Sequence, residues 1–176
     1  MKGPHKRMLL ELPTADEIDE LAITTPELIV RKFEHDISSE AADLNYPPCK
    51  GQVVLVAMGQ RGTALVKEKG SMLWSLPTGR ISPMEKPTDA ARRIASSSCG
   101  LHLRTLELVG MYDVTRHYSN LTVKRLYVVF RGLTEDNECR RSDDGSTHEA
   151  DFFGDDVSSM LQTEMDRNAL ADSMDE

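Results

Sequence analysis

The stretch that decides the fold runs Leu73-Trp74-Ser75-Leu76-Pro77-Thr78-Gly79-Arg80-Ile81-Ser82-Pro83-Met84-Glu85, continues Lys86-Pro87-Thr88-Asp89-Ala90-Ala91-Arg92-Arg93-Ile94-Ala95, and ends Ser96-Ser97-Ser98-Cys99-Gly100-Leu101. Its second half reads as a helix over Thr88 to Cys99. Thr88 is the expected cap, Asp89 places a carboxylate in the first turn, and Gly100 stands where a left-handed residue ends a helix. The first half, broken by Pro77, Gly79 and Pro83, reads as a loop.

Strands flank this loop and helix. Gln52 to Met58 is a short, valine-rich apolar run of the kind that forms a buried strand. Gly59-Gln60-Arg61-Gly62 is a turn, and Thr63 to Lys69 the returning strand. Downstream, Leu106 to Tyr112 and Leu121 to Arg131 read as strands. The second of these is apolar on both parities, so both faces of its sheet are covered. Residues 134–148 read as a solvated polar loop, Asp155 to Met165 as a final helix, and residues 166–176 as a frayed acidic tail. Upstream, Thr14 to Ala22 reads as a short helix. Thr25-Pro26 reads as a second helix start, followed by Ile29, Val30, Phe33 and Ile37 at helical spacing, although β-branching leaves a strand open there. Tyr46-Pro47-Pro48 breaks the chain. The expected organisation is a mostly helical N-terminal extension (1–45), one α/β domain (46–165) and the tail.

The central stretch resembles the Nudix hydrolase box, a loop–helix–loop that follows a Trp-x-Leu-Pro-Gly-Gly segment. The family pattern is Gly, five residues, Glu, seven residues, then Arg-Glu-apolar-x-Glu-Glu-x-Gly-apolar. Gly79, Glu85, Arg93, Ala95, Gly100 and Leu101 fall on it without gaps. The resemblance covers about residues 50–165 and implies a Nudix-type α/β/α sandwich with a mixed sheet.

The departures bear on activity. The three later glutamates of the pattern are Ile94, Ser97 and Ser98 here, and Thr78 replaces the first glycine of the pair. These three positions, at i, i+3 and i+4, share a helix face that in the family carries carboxylates for Mg²⁺ or Mn²⁺. Hard divalent cations take charged oxygen ligands, which an aliphatic chain and two neutral hydroxyls do not supply. Metal clamping contributes several kcal/mol to transition-state stabilisation, and each 1.36 kcal/mol is tenfold in rate. Standard metal-dependent hydrolysis is therefore expected to be lost. The leading expectation is a pseudoenzyme of the family that binds a nucleotide-like ligand or a protein partner without a cofactor. The alternative is a divergent pyrophosphohydrolase acting on a nucleoside diphosphate derivative, with Mg²⁺ or Mn²⁺ held in a rearranged site by Glu85 and Glu149. A third is an interaction scaffold built on the N-terminal helices and the acidic loop.

The candidate ligand-binding residues are Arg80, Arg93, Arg116, His117 and Tyr118. A guanidinium meets phosphate through its planar fork, and an aromatic ring stacks on a base. Tyr112 to Tyr118 reads as the connection between two strands, a region from which the resemblance implies substrate contacts. Each candidate has a structural reading beside the functional one. Arg93 pairs with Glu85, Trp74 packs in the core or the loop, and Glu149 is a solvated acid. No histidine has zinc-ligand spacing, and Ser96-Ser97-Ser98 lacks a nucleophile elbow.

Composition narrows the remaining classes. The chain has 176 residues, 39% hydrophobic and 28% charged, an ordinary soluble balance. Its 29 acids against 21 bases give a net charge of −8, which disfavours nucleic acid as a partner. No apolar run is long enough for a membrane span, and the run at Met8-Leu9-Leu10 is too short for a signal core. Cys49, Cys99 and Cys139 form no Cys-x-x-Cys and read as reduced thiols of a cytoplasmic protein.

Overall fold

The computed structural model describes residues 29–39, 51–119, 122–140 and 147–174. Seven strands form one mixed sheet: β1 (Ile29–Asp36), β2 (Gln52–Gly59), β3 (Gly62–Glu68), β4 (Thr78–Arg80), β5 (Leu103–His117), β6 (Thr122–Thr134) and β7 (Thr147–Phe153). Their order is β1-β5-β6-β2-β3-β7, with the short β4 also paired to β2. β1 runs parallel to β5 and β2 parallel to β6; the other pairings are antiparallel.

Helix α1 (Pro87–Cys99) covers one face of the sheet, while α2 (Val157–Met160) and α3 (Glu164–Met174) cover the other. The strand β2 shows why the sheet is doubly covered. Val53, Leu55 and Ala57 pack with Ala90, Ala91 and Ile94 of α1. Val54 and Val56, on the opposite parity, pack with Ala169 and Leu170 of α3. Period-two alternation gives each layer its own apolar set, so the strand reads as one continuous hydrophobic run. The result is the α/β/α sandwich expected from the sequence.

Four local expectations are corrected. Residues 29–36 form the edge strand β1, not a helix. Here β-branched residues and parallel pairing with β5 outweigh the helical spacing, and Phe33 alone is buried. Tyr112 to His117 is not a connection, because β5 continues through it in register with β6 as far as His117 opposite Thr122. The polar segment before residue 149 ends in a strand, β7, that pairs with β3. The last helix is split: Asp155 to Met165 holds the four-residue α2 and the first two residues of α3, which runs on through the expected tail with Ala169, Leu170 and Asp172 buried. The expected helix at 14–22 and most of the 1–45 extension lie outside the described residues.

Candidate functional site

The α1 helix is set by its two ends. Pro87 occupies the first helical position, where its fixed φ suits the helix and its missing N–H costs nothing. Lys86, not Thr88, is the capping residue, and no side chain caps the helix. At the far end Gly100 is left-handed (φ 67°), which turns its N–H onto the Ser96 carbonyl and that of Leu101 onto Ala95.

The three positions that carry glutamates in the Nudix pattern do not form a uniform face. Ile94 is 2% exposed and lies in the core with Val53, Leu55 and Val128. Ser97 is exposed and Ser98 half-buried. At about 100° per residue, position 98 stands about 40° to one side of position 94, and position 97 about 60° to the other. Position 94 therefore points at the sheet and position 97 at solvent.

Arg93 and Glu85 make a two-pronged pair. The Arg93 Nε and a terminal guanidinium nitrogen donate to the two Glu85 oxygens, each at 2.9 Å, and that nitrogen also donates to the Arg80 carbonyl at 2.7 Å. The Ser82 N–H adds a bond to the same carboxylate at 3.2 Å. The Arg93 hydrogen bonds hold the Glu85 carboxyl below its ordinary range, against a smaller burial effect. This is the structural pairing expected for both residues: it ties the loop 81–86 to the first turns of α1.

Glu149 lies on β7 opposite Lys67 of β3, with Lys67 Nζ 4.0 Å from its carboxylate. Lys67 also sits over the Trp74 ring at 4.8 Å, and that ring packs edge-on against Phe153. Trp74 thus packs as expected. Among the described residues no group of three or more His, Cys, Asp or Glu side chains is placed to hold a metal ion.

The remaining candidates lie elsewhere. His117 ends β5, its Nε2 2.9 Å from Glu34 and its Nδ1 3.2 Å from Thr122 Oγ1. Pairing registers place Arg80, Gln52, Tyr127, Tyr112 and Arg31 in one row across the sheet. Arg116 shares that face but lies four residues farther along β5, while His117 has the opposite parity. With strands about 4.8 Å apart and a rise of about 3.3 Å per residue, Arg80 and Arg116 are about 20 Å apart. Arg93, on the α1 side, and Tyr118, just past β5, do not join them. The five candidates do not converge on one pocket.

The family model for the NUDIX domain matches residues 48–166. The chain belongs to the Nudix family. Solved structures agree on the fold. A NUDIX hydrolase from Nitrosomonas europaea is 22% identical, with a TM-score of 0.56 over 69% of this chain and 85% of its own. The NUDIX domain of NrtR from Shewanella oneidensis, crystallised with ADP-ribose, is 14% identical, with a TM-score of 0.59 over 76% and 91%. The MutT protein from Bacillus halodurans is 16% identical, with a TM-score of 0.56 over 68% and 78%. In this Nudix domain the loop–helix–loop is preserved as architecture by Gly79, Glu85, Arg93 and Gly100. Among the described residues no helix is long and apolar enough to cross a membrane.

Sequence reasoning missed the polar groups under α3. Arg31 Nε donates to Asp172 Oδ2 at 2.7 Å and its terminal nitrogen to Oδ1 at 2.5 Å, and the Tyr112 hydroxyl donates to the same carboxylate. Burial alone would raise the Asp172 carboxyl; the bonds from Arg31 and Tyr112 outweigh it and hold it low. Asp166 is 4% exposed and accepts the Leu76 N–H at 3.2 Å. Burial outweighs that bond and lifts its pKa to about 6. These contacts join residues up to 141 positions apart, and no local pattern announces them.

Proposed function

We propose that this Nudix domain has given up metal-dependent hydrolysis and serves as a binding module for a nucleotide-like ligand. One observation carries the reading: the position of the first helix-face glutamate is Ile94, sealed in the core against Gly79. The donor set does not fit a divalent cation. Ser97 and Ser98 offer neutral hydroxyls, Glu85 is engaged by Arg93, and Glu149 faces Lys67. These side chains do not support a hydrolytic step through a metal.

Arg93 is paired with Glu85, and His117 Nε2 lies 2.9 Å from a Glu34 oxygen. Arg116, on the α3 face, is the guanidinium to test for phosphate contact. The ADP-ribose complex of the Shewanella oneidensis domain makes ADP-ribose the first probe. Calorimetric titration of Mn²⁺ into the protein, alone and with ADP-ribose or ATP, should give no stoichiometric metal site. ADP-ribose binding should persist in a chelator and weaken about tenfold or more in Arg116→Ala, one lost charged contact being about 1.5–3 kcal/mol. A stoichiometric Mn²⁺ site that Glu149→Gln removes, with pyrophosphohydrolase turnover, would instead establish the divergent enzyme. No response to either nucleotide would leave a protein partner as the ligand.

A further inference from the structure

The clearest chemistry outside the box lies behind it, where α1 ends. Gly100 is left-handed there, and a Cβ at this position would come within 2.8 Å of the Arg140 Cβ. That closeness lets the Arg140 N–H donate to the Cys99 carbonyl at 2.7 Å. The residue just before Arg140 is Cys139, which packs on the same apolar cluster that contains the fully buried Cys99. The proximity of Cys139, together with burial, pushes the Cys99 thiol above its ordinary range. The segment that delivers Cys139 is itself held down. Asp136 accepts the His102 N–H at 2.7 Å and bonds Thr134, and Arg61 donates to the Asn137 carbonyl.

We infer that Cys99 and Cys139 form an oxidant-induced disulfide that clamps the end of the box helix to the segment leading out of β6. The Arg140 N–H bond to the Cys99 carbonyl sets the two cysteines on adjacent backbones, the arrangement from which a disulfide closes. Cys139 is the more exposed sulfur, so it reacts first. With a peroxide as oxidant, its thiolate attacks one peroxide oxygen, the O–O bond breaks, and the departing hydroxide takes up a proton to leave as water. The Cys139 sulfenic acid is then attacked by the Cys99 sulfur. The S–S bond forms, the S–OH bond breaks, the Cys99 proton is transferred, and a second water leaves. Two thiols are oxidised by two electrons and one peroxide is reduced to two waters. The closed ring takes in all of β5 and β6, so the clamp restrains the unfolded chain and ties α1 to the sheet.

The experiment uses the full chain with Cys49→Ser, so that Cys99 and Cys139 are the two remaining thiols. Hydrogen peroxide treatment should remove the mass of two hydrogens and yield one peptide linking Cys99 to Cys139. It should raise Tm by about 5–10 °C over the reduced protein and be reversed by dithiothreitol. Cys139→Ser, at a half-buried position, should fold, lose the linked peptide and lose the rise in Tm. Oxidation that stops at sulfinic acid on Cys139, or a linked peptide with no change in Tm, would overturn the inference. Cys99→Ala provides an independent check, since peroxide should then leave Cys139 as an unresolved sulfenic acid that a dimedone probe captures. A rise in Tm persisting in either variant would also overturn it.

Discussion

Gly79 and Ile94 interlock: a Cβ on Gly79 would stand 2.8 Å from both Cγ1 and Cδ1 of Ile94. One residue lies on β4, opposite Val53, and the other in the middle of α1, so this contact fixes how closely the helix approaches the sheet. Ile94 is β-branched, with little χ1 freedom in a helix, and is packed on every side. Gly79→Ala is therefore expected to cost about 1–3 kcal/mol in denaturant unfolding. Ile94→Val in the same chain should recover part of the loss. The double-mutant cycle should give a coupling of about 0.5 kcal/mol or more, whereas independent sites would add.

The same packing separates two substitutions that restore the family pattern. Ile94→Glu places a carboxylate at a 2% exposed site among the apolar side chains of Val53, Leu55 and Val128. It should destabilise by about 3–5 kcal/mol at neutral pH and recover partly in acid as the carboxyl is neutralised. Ser97→Glu stands on the exposed side of the helix and should stay within about 0.5 kcal/mol of the parent. Urea titration at two pH values checks both. An Ile94→Glu protein as stable as the parent would mean that the helix can turn this position toward solvent.

What the sequence discloses divides along the same physical line. The box helix, its closing glycine, the β2–β3 hairpin and the Arg93–Glu85 pair were legible because their determinants lie within a dozen or so residues of one another. The edge strand β1 was not, because its identity comes from pairing with β5, some eighty residues later. Helix α3 read as a tail because its charged residues look solvated one by one. Only the fold brings Asp172 to Arg31 and Asp166 to the Leu76 N–H. The candidate site residues come from two stretches that a linear reading cannot place in space, and the pairing registers set Arg80 and Arg116 far apart.

Asp172 anchors α3. Its side chain is 2% exposed and takes bonds from Arg31 and Tyr112, which are cross-strand neighbours on β1 and β5. Asp172→Ala leaves the Tyr112 hydroxyl buried without an acceptor, while Arg31, 40% exposed, can turn to water. The expected cost is about 2–4 kcal/mol, against about 1 kcal/mol for Tyr112→Phe, which removes one bond and leaves the ion pair. Deleting residues 166–176 should be worse than either, because Ala169 and Leu170 leave the core with it. Thermal unfolding of the three proteins should rank them in that order.

Asp166 gives the pH dependence its sign. Burial raises its folded-state pKa to about 6 from an ordinary value of 3.8, so between these values the folded protein holds a proton that the unfolded chain has released. Its contribution to stability is complete below about pH 4 and falls as pH rises through 6. A rise of that size is equivalent to about 3 kcal/mol at most. Glu85 acts in the opposite sense and in another window. Its lowered pKa gives stability that is present above the ordinary carboxylate range and is lost as pH falls below it, and the half-exposed Arg93 keeps that effect to about 1 kcal/mol or less. Asp166→Asn should therefore flatten the decline between about pH 4 and 6, and should leave the protein more stable than the parent at pH 7, because its amide oxygen still accepts from Leu76 without a buried charge. Unfolding curves at half-unit pH intervals decide the matter: an unchanged decline in Asp166→Asn would place its source in a different carboxylate.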